Sequence, residues 1–401
     1  MARIKLIGLF SIFVILFIFA AQRSVSADSE TDSLRHRIEQ IESQLKQRER
    51  GMFSMDKVSF HGYGEVHFNF PKTGVMNSNA DNLADFHRFV LGWEVEFSET
   101  IRMSSEIDFE HNASEIELEY AQIEFDFAPT HSFRVGALLM PVGSLNEFHE
   151  PPNFYSVERP YTQSSVIPTT WQENGIGLNG RFLDAGVAYR LYLTAGLEGA
   201  DFTSADGLRK GRSKGIKSVI NDVAIVGRLE YSPALGYKSG KLNIGGSFYY
   251  GGVDQNDSGL GDITISLFEV DARYQVGGFH VQAEGVVIDI DRAGALSAVA
   301  GETIGERIFG AYAEAGFDLL KLLAPQSSRK LVLFTRHEQI DTNDKAPLGF
   351  AQIPEAYRRI WTSGLAYFPI DKVAIKADVE SWKDGSGDTV TRINSGFGFM
   401  F

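Results

Sequence analysis

The 401-residue sequence predicts an all-β chain that forms a transmembrane antiparallel barrel of about 16 strands, preceded by a short N-terminal coiled-coil helix. Three observations support this prediction. Apolar and polar residues alternate over most of the chain, several alternating runs exceed ten residues, and no apolar run beyond the N-terminus approaches the length of a transmembrane helix. Alternation also explains the mean hydropathy of −0.12, because lipid-facing residues are interleaved with polar ones.

Residues 1–27 have the pattern of a secretory signal peptide. Arg3 and Lys5 precede an apolar stretch from about residue 6 to 19, and Val25-Ser26-Ala27 predicts cleavage after Ala27. An uncleaved anchor is the alternative, but the apolar stretch is short for a spanning helix. The chain contains no cysteine, so neither disulfides nor thiolate zinc sites stabilise the exported protein.

Residues 28–51 predict a periplasmic coiled-coil helix. Its apolar positions follow a coiled-coil seam, with spacings of four, three and four: Leu34, Ile38, Ile41 and Leu45. Two heptads are too short to associate alone, so we expect this helix to pair only where the barrels already hold its copies together. An amphipathic linker helix is the alternative.

Residues 52–401 predict the outer-membrane β-barrel. One face of a typical run carries Phe89, Leu91, Trp93, Val95 and Phe97, and the apolar parity changes near Tyr120-Ala121, which predicts a β-bulge. The same pattern gives sixteen candidate strands, at about 57–70, 85–99, 101–112, 115–128, 131–139, 174–183, 185–197, 218–231, 240–252, 262–276, 278–291, 305–318, 329–341, 356–368, 371–383 and 388–401. An even strand number, with short turns alternating with longer loops, is typical of outer-membrane barrels.

The final strand ends on an aromatic face. Its alternate residues are Ile393, Ser395, Phe397, Phe399 and the C-terminal Phe401. This ending resembles the terminal strand of outer-membrane barrels, whose assembly machinery recognises a final Phe. The sequence therefore predicts the outer membrane of a Gram-negative-type bacterium.

One connection, at about 140–173, loses the alternation and contains five prolines. It also carries many apolar and aromatic side chains, among them Phe154, Tyr161 and Trp171, which makes it too apolar for a freely solvated loop. Long loops inside compact folds are usually functional. We expect this loop to fold into the lumen and form its narrowest point; an extracellular surface loop is the alternative.

Four motifs surround this connection: Phe133-Arg134-Val135-Gly136, Pro141-Val142-Gly143, Glu158-Arg159, and Gly175-Ile176-Gly177-Leu178 followed by Gly180. In these motifs and in its strand layout from about residue 58 onward, the chain resembles the phosphate-selective porin O and P family. The resemblance implies a sixteen-stranded homotrimeric porin, preceded in some members by a short coiled coil. We expect passive diffusion of small hydrophilic solutes or ions, with a phosphate- or anion-selective channel as an alternative.

The predicted lumen is strongly acidic on one wall. Ten carboxylates have inward parity on three consecutive strands: Glu94, Glu96, Glu106, Asp108, Glu110, Glu115, Glu117, Glu119, Glu124 and Asp126. The inward cations are Arg88, Arg102, Arg392, Arg228, Arg336 and Lys376. Such a wall favours cations, and the inward faces show no lysine cluster, so the residues themselves do not support phosphate selectivity. A salt-bridge lattice that stiffens the wall is the alternative.

From these patterns we predict the residues that line or narrow the pore. They are Arg88, Glu94, Glu96, Arg102, Glu106, Asp108, Glu110, Arg134, Glu147, Glu150, Glu158 and Arg159. The last four belong to the long connection, and Arg88, Arg102 and Arg134 are expected to face them from the wall.

Motifs for catalysis and metal binding are missing from the sequence. The nine histidines have no metal-ligand spacing, and no phosphate loop, HExxH or GxSxG motif occurs. We therefore expect no enzyme, no cofactor and no metal. A barrel hydrolase is a weak alternative, for which His67, Asn69 and Ser98 would be one of many conceivable triplets.

The charge of the chain limits its partners. The net charge of −14 falls to about −17 when the signal peptide is removed, which excludes nucleic acid as a partner. The expected partners are outer-membrane lipid, lipopolysaccharide, small hydrophilic solutes and further copies in a homotrimer. A basic cluster between Arg209 and Lys217 would either attract anions and lipopolysaccharide phosphates or be a solvated loop. A plugged barrel that serves as an anchor or adhesin is a further alternative.

Overall fold

A computed structural model describes residues 37, 40, 57–74, 81–236, 239–255 and 262–401. The chain divides into two compact units, Met1–Asp56 and Lys57–Phe401. The predicted signal peptide and most of the predicted coiled-coil helix lie outside the described residues; Arg37 and Gln40 are helical. No helix among the described residues is long and apolar enough to cross a membrane.

Sixteen antiparallel strands close into one barrel, so the predicted strand number is confirmed. They are β1 (Val58–Gly74), β2 (Leu83–Glu96), β3 (Ile101–Glu110), β4 (Glu115–Ala128), β5 (His131–Leu139), β6 (Gln172–Phe182), β7 (Val187–Ala195), β8 (Val223–Tyr231), β9 (Lys241–Gly252), β10 (Thr264–Val276), β11 (Phe279–Ile290), β12 (Arg307–Asp318), β13 (Lys330–Lys345), β14 (Tyr357–Ile370), β15 (Val373–Asp384) and β16 (Thr389–Met400). β1 pairs with both β2 and β16, so the sheet has no free edge. Because the sheet is closed, every strand has a hydrogen-bonding neighbour on each side, so its backbone N–H and C=O groups are paired without the partners that lipid cannot supply.

Side chains alternate between the two faces of this sheet. In β15, Ile375 and Val379 are exposed, whereas Lys376, Asp378 and Glu380 are buried. The outer face of β16 likewise exposes apolar side chains at Ile393, Phe397 and Phe401. An apolar exterior around a charged interior is the arrangement of an outer-membrane barrel, and it places this chain in an outer membrane of the Gram-negative type.

The connections differ between the two ends of the barrel. At the end that carries the start of β1 and the end of β16, they include two-residue turns such as Gly277-Gly278, where both φ angles are positive (56° and 91°), as a tight hairpin requires. A short helix, α2 (Leu320–Leu323), also lies at this end. The opposite end carries the long connections 140–171, 196–222 and 291–306, the last of which contains helix α1 (Ala293–Ala300).

The predicted bulge is present at Glu119. The register between β3 and β4 shifts between Glu106 and Ile107, which leaves Glu119 as the extra residue beside the predicted Tyr120-Ala121. Glu119 keeps the inward parity of Glu115 and Glu117 and is buried in the barrel, and Tyr120 after it also faces inward, where its hydroxyl donates to Glu106 (3.2 Å).

Several predicted strand ends move by a few residues, and two of these shifts have a structural cause. The long connection ends at residue 171 rather than about 173, because Gln172 already pairs with Leu139. The strand expected from about 218 begins at Val223, because Asn174 on β6 donates to the Gly215 carbonyl (3.1 Å) and holds the preceding segment against the wall.

Candidate pore and its lumen loop

Residues 140–171, here called the lumen loop, lie inside the barrel. Met140, Ile167 and Trp171 are fully buried. Asn146 ties the two ends of the loop together: its amide donates to the carbonyls of Met140 (2.8 Å) and Trp171 (2.9 Å), and its oxygen accepts from the Trp171 N–H (2.8 Å). These three hydrogen bonds close the loop at its base.

In the first half of the lumen loop, Ser144 and Glu147 bond to β7, β10 and β11. Ser144 donates to Glu284 of β11 (2.8 Å), and its carbonyl accepts from Arg273 of β10 (2.8 Å). Glu147 forms an ion pair with Arg190 of β7 at 3.0 Å. These partners all face inward from their strands.

In the second half, Ser156 and Val157 bond to β13 and β15. The Val157 N–H donates to Asp378 of β15 (2.6 Å), and the Ser156 hydroxyl accepts from Arg336 of β13 (2.5 Å). The Ser156 carbonyl also accepts from Lys376 of β15 (2.8 Å). Because the barrel is closed, contacts from β7 round to β15 mean that the lumen loop crosses the interior.

His149 is a buried charged anchor of the loop. Its Nε2 lies 2.5 Å from a Glu119 carboxylate oxygen, and its Nδ1 lies 2.9 Å from the Asn146 carbonyl. Burial alone would lower the pKa of His149, but the Glu119 carboxylate outweighs it and raises that pKa to about 9. With both nitrogens facing acceptors, the imidazolium form fits the site.

Glu158 is the second anchor. Its Oε1 accepts from Asn69 (3.1 Å) and lies 3.3 Å from His67 Nδ1, so both partners come from β1. Burial raises the pKa of Glu158, but the hydrogen bond and charge of His67 more than offset this and lower the pKa to about 2. This loop carboxylate is therefore ionised and held at one position.

The other predicted loop residues are less firmly held. Glu150 accepts from Asn153 (2.7 Å) within the loop. Arg159 donates from Nη1 to Thr169 (3.3 Å), while its buried Nε and Nη2 have no hydrogen-bond partner among the described residues.

Most predicted wall charges pair with neighbouring strands rather than with the loop. Arg88 contacts Glu65 (2.7 Å) and lies 3.9 Å from Asp108. Glu106 lies 2.8 Å from His61 Nε2. Arg88 thus has its carboxylate partners in the wall, where the register of adjacent strands sets them side by side.

Glu124 is the centre of a further wall cluster. It accepts from both Arg102 and Arg134, and Arg102 also bonds to Asp126 at 2.6 Å. In contrast, Glu94, Glu96 and Glu110 form no ion pair within the described part of the barrel. The acidic wall is thus partly neutralised.

A cavity of about 410 Å³ opens in the lumen toward the end that carries the start of β1 and the end of β16. Four arginines line it, Arg102, Arg134, Arg181 and Arg190, against the two carboxylates Glu124 and Asp126. Neither Arg181 nor Arg190 was among the residues predicted to line the pore. The inward parity of Arg190 between Tyr189 and Leu191 is the signal that identifies it.

Two other inward arginines were predicted without their partners. Arg228 contacts Asp271 at 2.7 Å and Glu269 at 3.2 Å. Arg336 is completely buried and contacts Glu338 at 2.7 Å and Glu314 at 3.3 Å. These carboxylates come from strands that sequence analysis did not pair with the arginines.

Two residues of the basic cluster, Arg209 and Arg212, bind the lumen loop instead of facing solvent. Arg209 donates to the carbonyls of Ser164 (3.0 Å) and Thr169 (2.7 Å) in the lumen loop, and Arg212 donates to that of Pro168 (2.7 Å). Burial, helped by Arg209, lowers the pKa of Arg212 to about 10. Both interpretations from the sequence are wrong for these two residues, which clamp the lumen loop.

The conceivable hydrolase triplet does not assemble. His67 and Asn69 both contact Glu158, whereas Ser98 lies beyond the far end of β2 and bonds to Thr100. The histidines, however, are less scattered than the sequence suggests. The His67 and His87 rings stack at 4.6 Å, and the His87 and His111 rings meet edge-on at 5.3 Å.

No model of a known protein family matches the chain. A protein of Aquifex aeolicus (strain VF5), described as uncharacterised, is 31% identical over 357 residues, which cover 84% of this chain and 78% of that protein. The chain belongs to the family of this Aquifex protein.

Solved outer-membrane proteins share the fold. The outer-membrane channel DcaP of Acinetobacter baumannii matches with a TM-score of 0.54 and 11% identity, over 88% of this chain and 99% of that one. OmpF of Salmonella typhi, in complex with daunomycin, matches with a TM-score of 0.53 and 10% identity, over 86% of this chain and 97% of OmpF. The loop L8 deletion mutant of Vibrio cholerae OmpT matches with a TM-score of 0.53 and 10% identity, over 86% of this chain and 99% of the mutant. At such identities the likeness shows a porin-like barrel fold alone, and membership of the O and P family stays a prediction.

Proposed function

We propose that this protein is a porin through which small hydrophilic solutes and ions diffuse passively. The observation that carries the proposal is the inner wall: a closed barrel with an apolar exterior has charged residues facing its interior on nearly every strand. Such a lining keeps a lumen hydrated, as in porins. The fold shared with DcaP, an outer-membrane channel, supports this assignment by analogy.

In this proposal the lumen loop forms the constriction. Its charged side chains Glu147, Glu150, Glu158 and Arg159 would face the permeating solute, with Arg88, Arg102 and Arg134 shaping the field from the wall. The burial of the loop and its bonds to β7 and β15 support this role. Arg159 is the most informative position, because two of its guanidinium nitrogens make no hydrogen bond to the described residues.

Planar bilayer recording tests the channel proposal. Stepwise conductance is expected from purified, folded protein, and R159A should raise the single-channel conductance because it removes a large side chain from the constriction. K210A is the matched control, since Lys210 pairs with Asp206 on a solvent-facing turn. Folded protein that inserts but never conducts would contradict the proposal.

Such a silent barrel would match the plugged alternative, which one observation favours. Apolar side chains from several of the long connections form one buried cluster at their end of the barrel. The cluster includes Trp171, Phe202, Leu208, Val253 and Leu296. A cluster of this kind narrows the entry on that side.

An anion-selective channel is the second transport candidate. The 410 Å³ cavity favours anion selectivity, because four arginines face two carboxylates there. The unpaired acidic residues of β2 and β3 oppose it. The sign of the reversal potential in a salt gradient distinguishes these possibilities.

We also propose a homotrimer whose N-terminal segments form the periplasmic coiled coil. The seam spacing of residues 28–51 supports this, as does the trimer form of Vibrio cholerae OmpT, whose fold is similar. The mass of the detergent-solubilised protein, from light scattering corrected for detergent, should be that of three chains. A single-chain mass would contradict it.

A further inference from the structure

A cluster of metal-ligating side chains lies at the rim of the barrel, on the end opposite the start of β1 and the end of β16. Asp85 and His87 belong to the first part of β2, and His111 begins the turn between β3 and β4. One ligand atom from each residue lies within 4.8 Å of the other two. None of the three belongs to a catalytic motif, and none is among the predicted pore-lining residues.

We propose that Asp85, His87 and His111 form a binding site for a divalent first-row transition metal, with Zn²⁺ as its test ligand. Two imidazoles and one carboxylate are a ligand set that suits such metals, whereas Mg²⁺ and Ca²⁺ take mainly oxygen ligands. Three protein ligands leave a fourth position for water. The site thus has the composition of an open metal centre.

The geometry is close to what zinc requires. Asp85 Oδ2 lies 3.2 Å from His87 Nδ1 and 2.8 Å from His111 Nδ1. Two ligand atoms bound to one tetrahedral zinc at about 2.0–2.1 Å are roughly 3.3 Å apart. Both separations lie within about 0.5 Å of that value, and none of the three side chains is fully buried.

The surroundings hold the His87 ring in place. The His67 ring stacks on the His87 ring at 4.6 Å and 12°, and His67 is itself fixed between Glu65 (3.1 Å) and Glu158 (3.3 Å). Supporting residues of this kind orient metal-binding imidazoles.

The turn that carries His111 is held in an uncommon conformation. His111, Asn112 and Ala113 all have positive φ (48°, 56° and 64°), and the His111 N–H donates to the His87 carbonyl at 2.9 Å. Non-glycine residues seldom adopt this region, and a run of three persists only where its surroundings determine it. The conformation brings the His111 ring over Asp85.

Zinc binding to the full-length protein in detergent tests the site, after removal of bound metal with a chelator. Calorimetry with ZnCl₂ should give one site per chain, and a millimolar excess of MgCl₂ should not displace the zinc. D85N, H87N and H111N should each weaken binding by at least about tenfold, since loss of even an outer-shell partner costs about that much. Asparagine suits position 111 because it tolerates positive φ.

The control is H61N, which removes another lumen histidine that pairs with a carboxylate, Glu106, outside the cluster. It should bind zinc as the unaltered protein does. Circular dichroism and the heat-dependent shift in gel mobility confirm that each variant folds. Binding that is absent in the unaltered protein, or unchanged in all three cluster variants, would overturn the proposal. Neither readout depends on conductance, so failure of the site and failure of the channel are distinguishable.

Discussion

His149 illustrates how one residue of the lumen loop determines where the loop lies. Its imidazolium joins Glu119, the bulged residue of β4, to the Asn146 carbonyl at the neck of the loop. The pair is buried, so each charge depends on the other for the stabilisation that water would otherwise supply.

The stability that His149 contributes should therefore depend on pH. Its pKa is raised to about 9, above the ordinary 6.5, so its contribution is fully present below pH 6.5 and is lost as the pH rises through about 9. Thermal unfolding of the unaltered protein and of H149Q should differ most near pH 6 and converge toward pH 10. A difference that stays constant over this range would contradict the assigned ion pair.

Arg336 is the clearest buried cation of the wall. It contacts Glu314 and Glu338 and donates to Ser156 of the lumen loop. R336A leaves two buried carboxylates without their counter-ion, a loss that typically costs about 3–5 kcal/mol. Unfolding in detergent should show this loss.

A second variant separates charge from packing at this position. R336M with E314Q and E338Q removes the cation and both carboxylates together, and should recover much of the stability that R336A loses. If the triple variant is as unstable as R336A, packing rather than charge explains the position of Arg336.

Among the strands, β16 closes the barrel by pairing with β1. The Phe401 N–H donates to the Gly62 carbonyl of β1 (2.9 Å), and its ring stacks on Phe89 of β2 at 6.5 Å. The terminal residue that the sequence singled out thus lies at the seam between the first and last strands.

We expect F401A to lower the fraction of protein that reaches the folded barrel, because the seam loses its aromatic contact. F268A is the control, since Phe268 is an outward aromatic on β10, remote from the seam. The heat-dependent shift in gel mobility after expression measures the folded fraction. Equal yields for the two variants would remove any special role of Phe401.

For the whole molecule, the balance of charges along the lumen decides ion preference. The wall carboxylates Glu94 and Glu96 form no ion pair within the described residues, whereas Glu124 is matched by two arginines. Only unmatched charges leave a net field for a permeating ion, so Glu94 and Glu96 should matter most.

E94Q with E96Q should therefore lower the cation-to-anion permeability ratio, measured from reversal potentials in a KCl gradient. E355Q is the control, because Glu355 is an exposed carboxylate in the connection between β13 and β14. An unchanged potential in the double variant would restrict these two residues to a scaffolding role.

Local alternation was enough to predict the barrel, its sixteen strands, the bulge beside Tyr120 and the inward charges of β2 to β4. A period of two depends only on neighbouring residues, so it is readable from the chain itself. The proline-rich connection was too apolar for a solvent-exposed loop, which led to the prediction that it folds into the lumen.

The partners of those charges were decided by the tertiary structure. Arg209 and Arg212 looked like a basic surface patch, but the fold of the second long connection buries them against carbonyls of the lumen loop. Asp85, His87 and His111 have no motif spacing, because a strand and a distant turn bring them together. Pairing between residues far apart in sequence depends on register and loop path, which alternation alone does not encode.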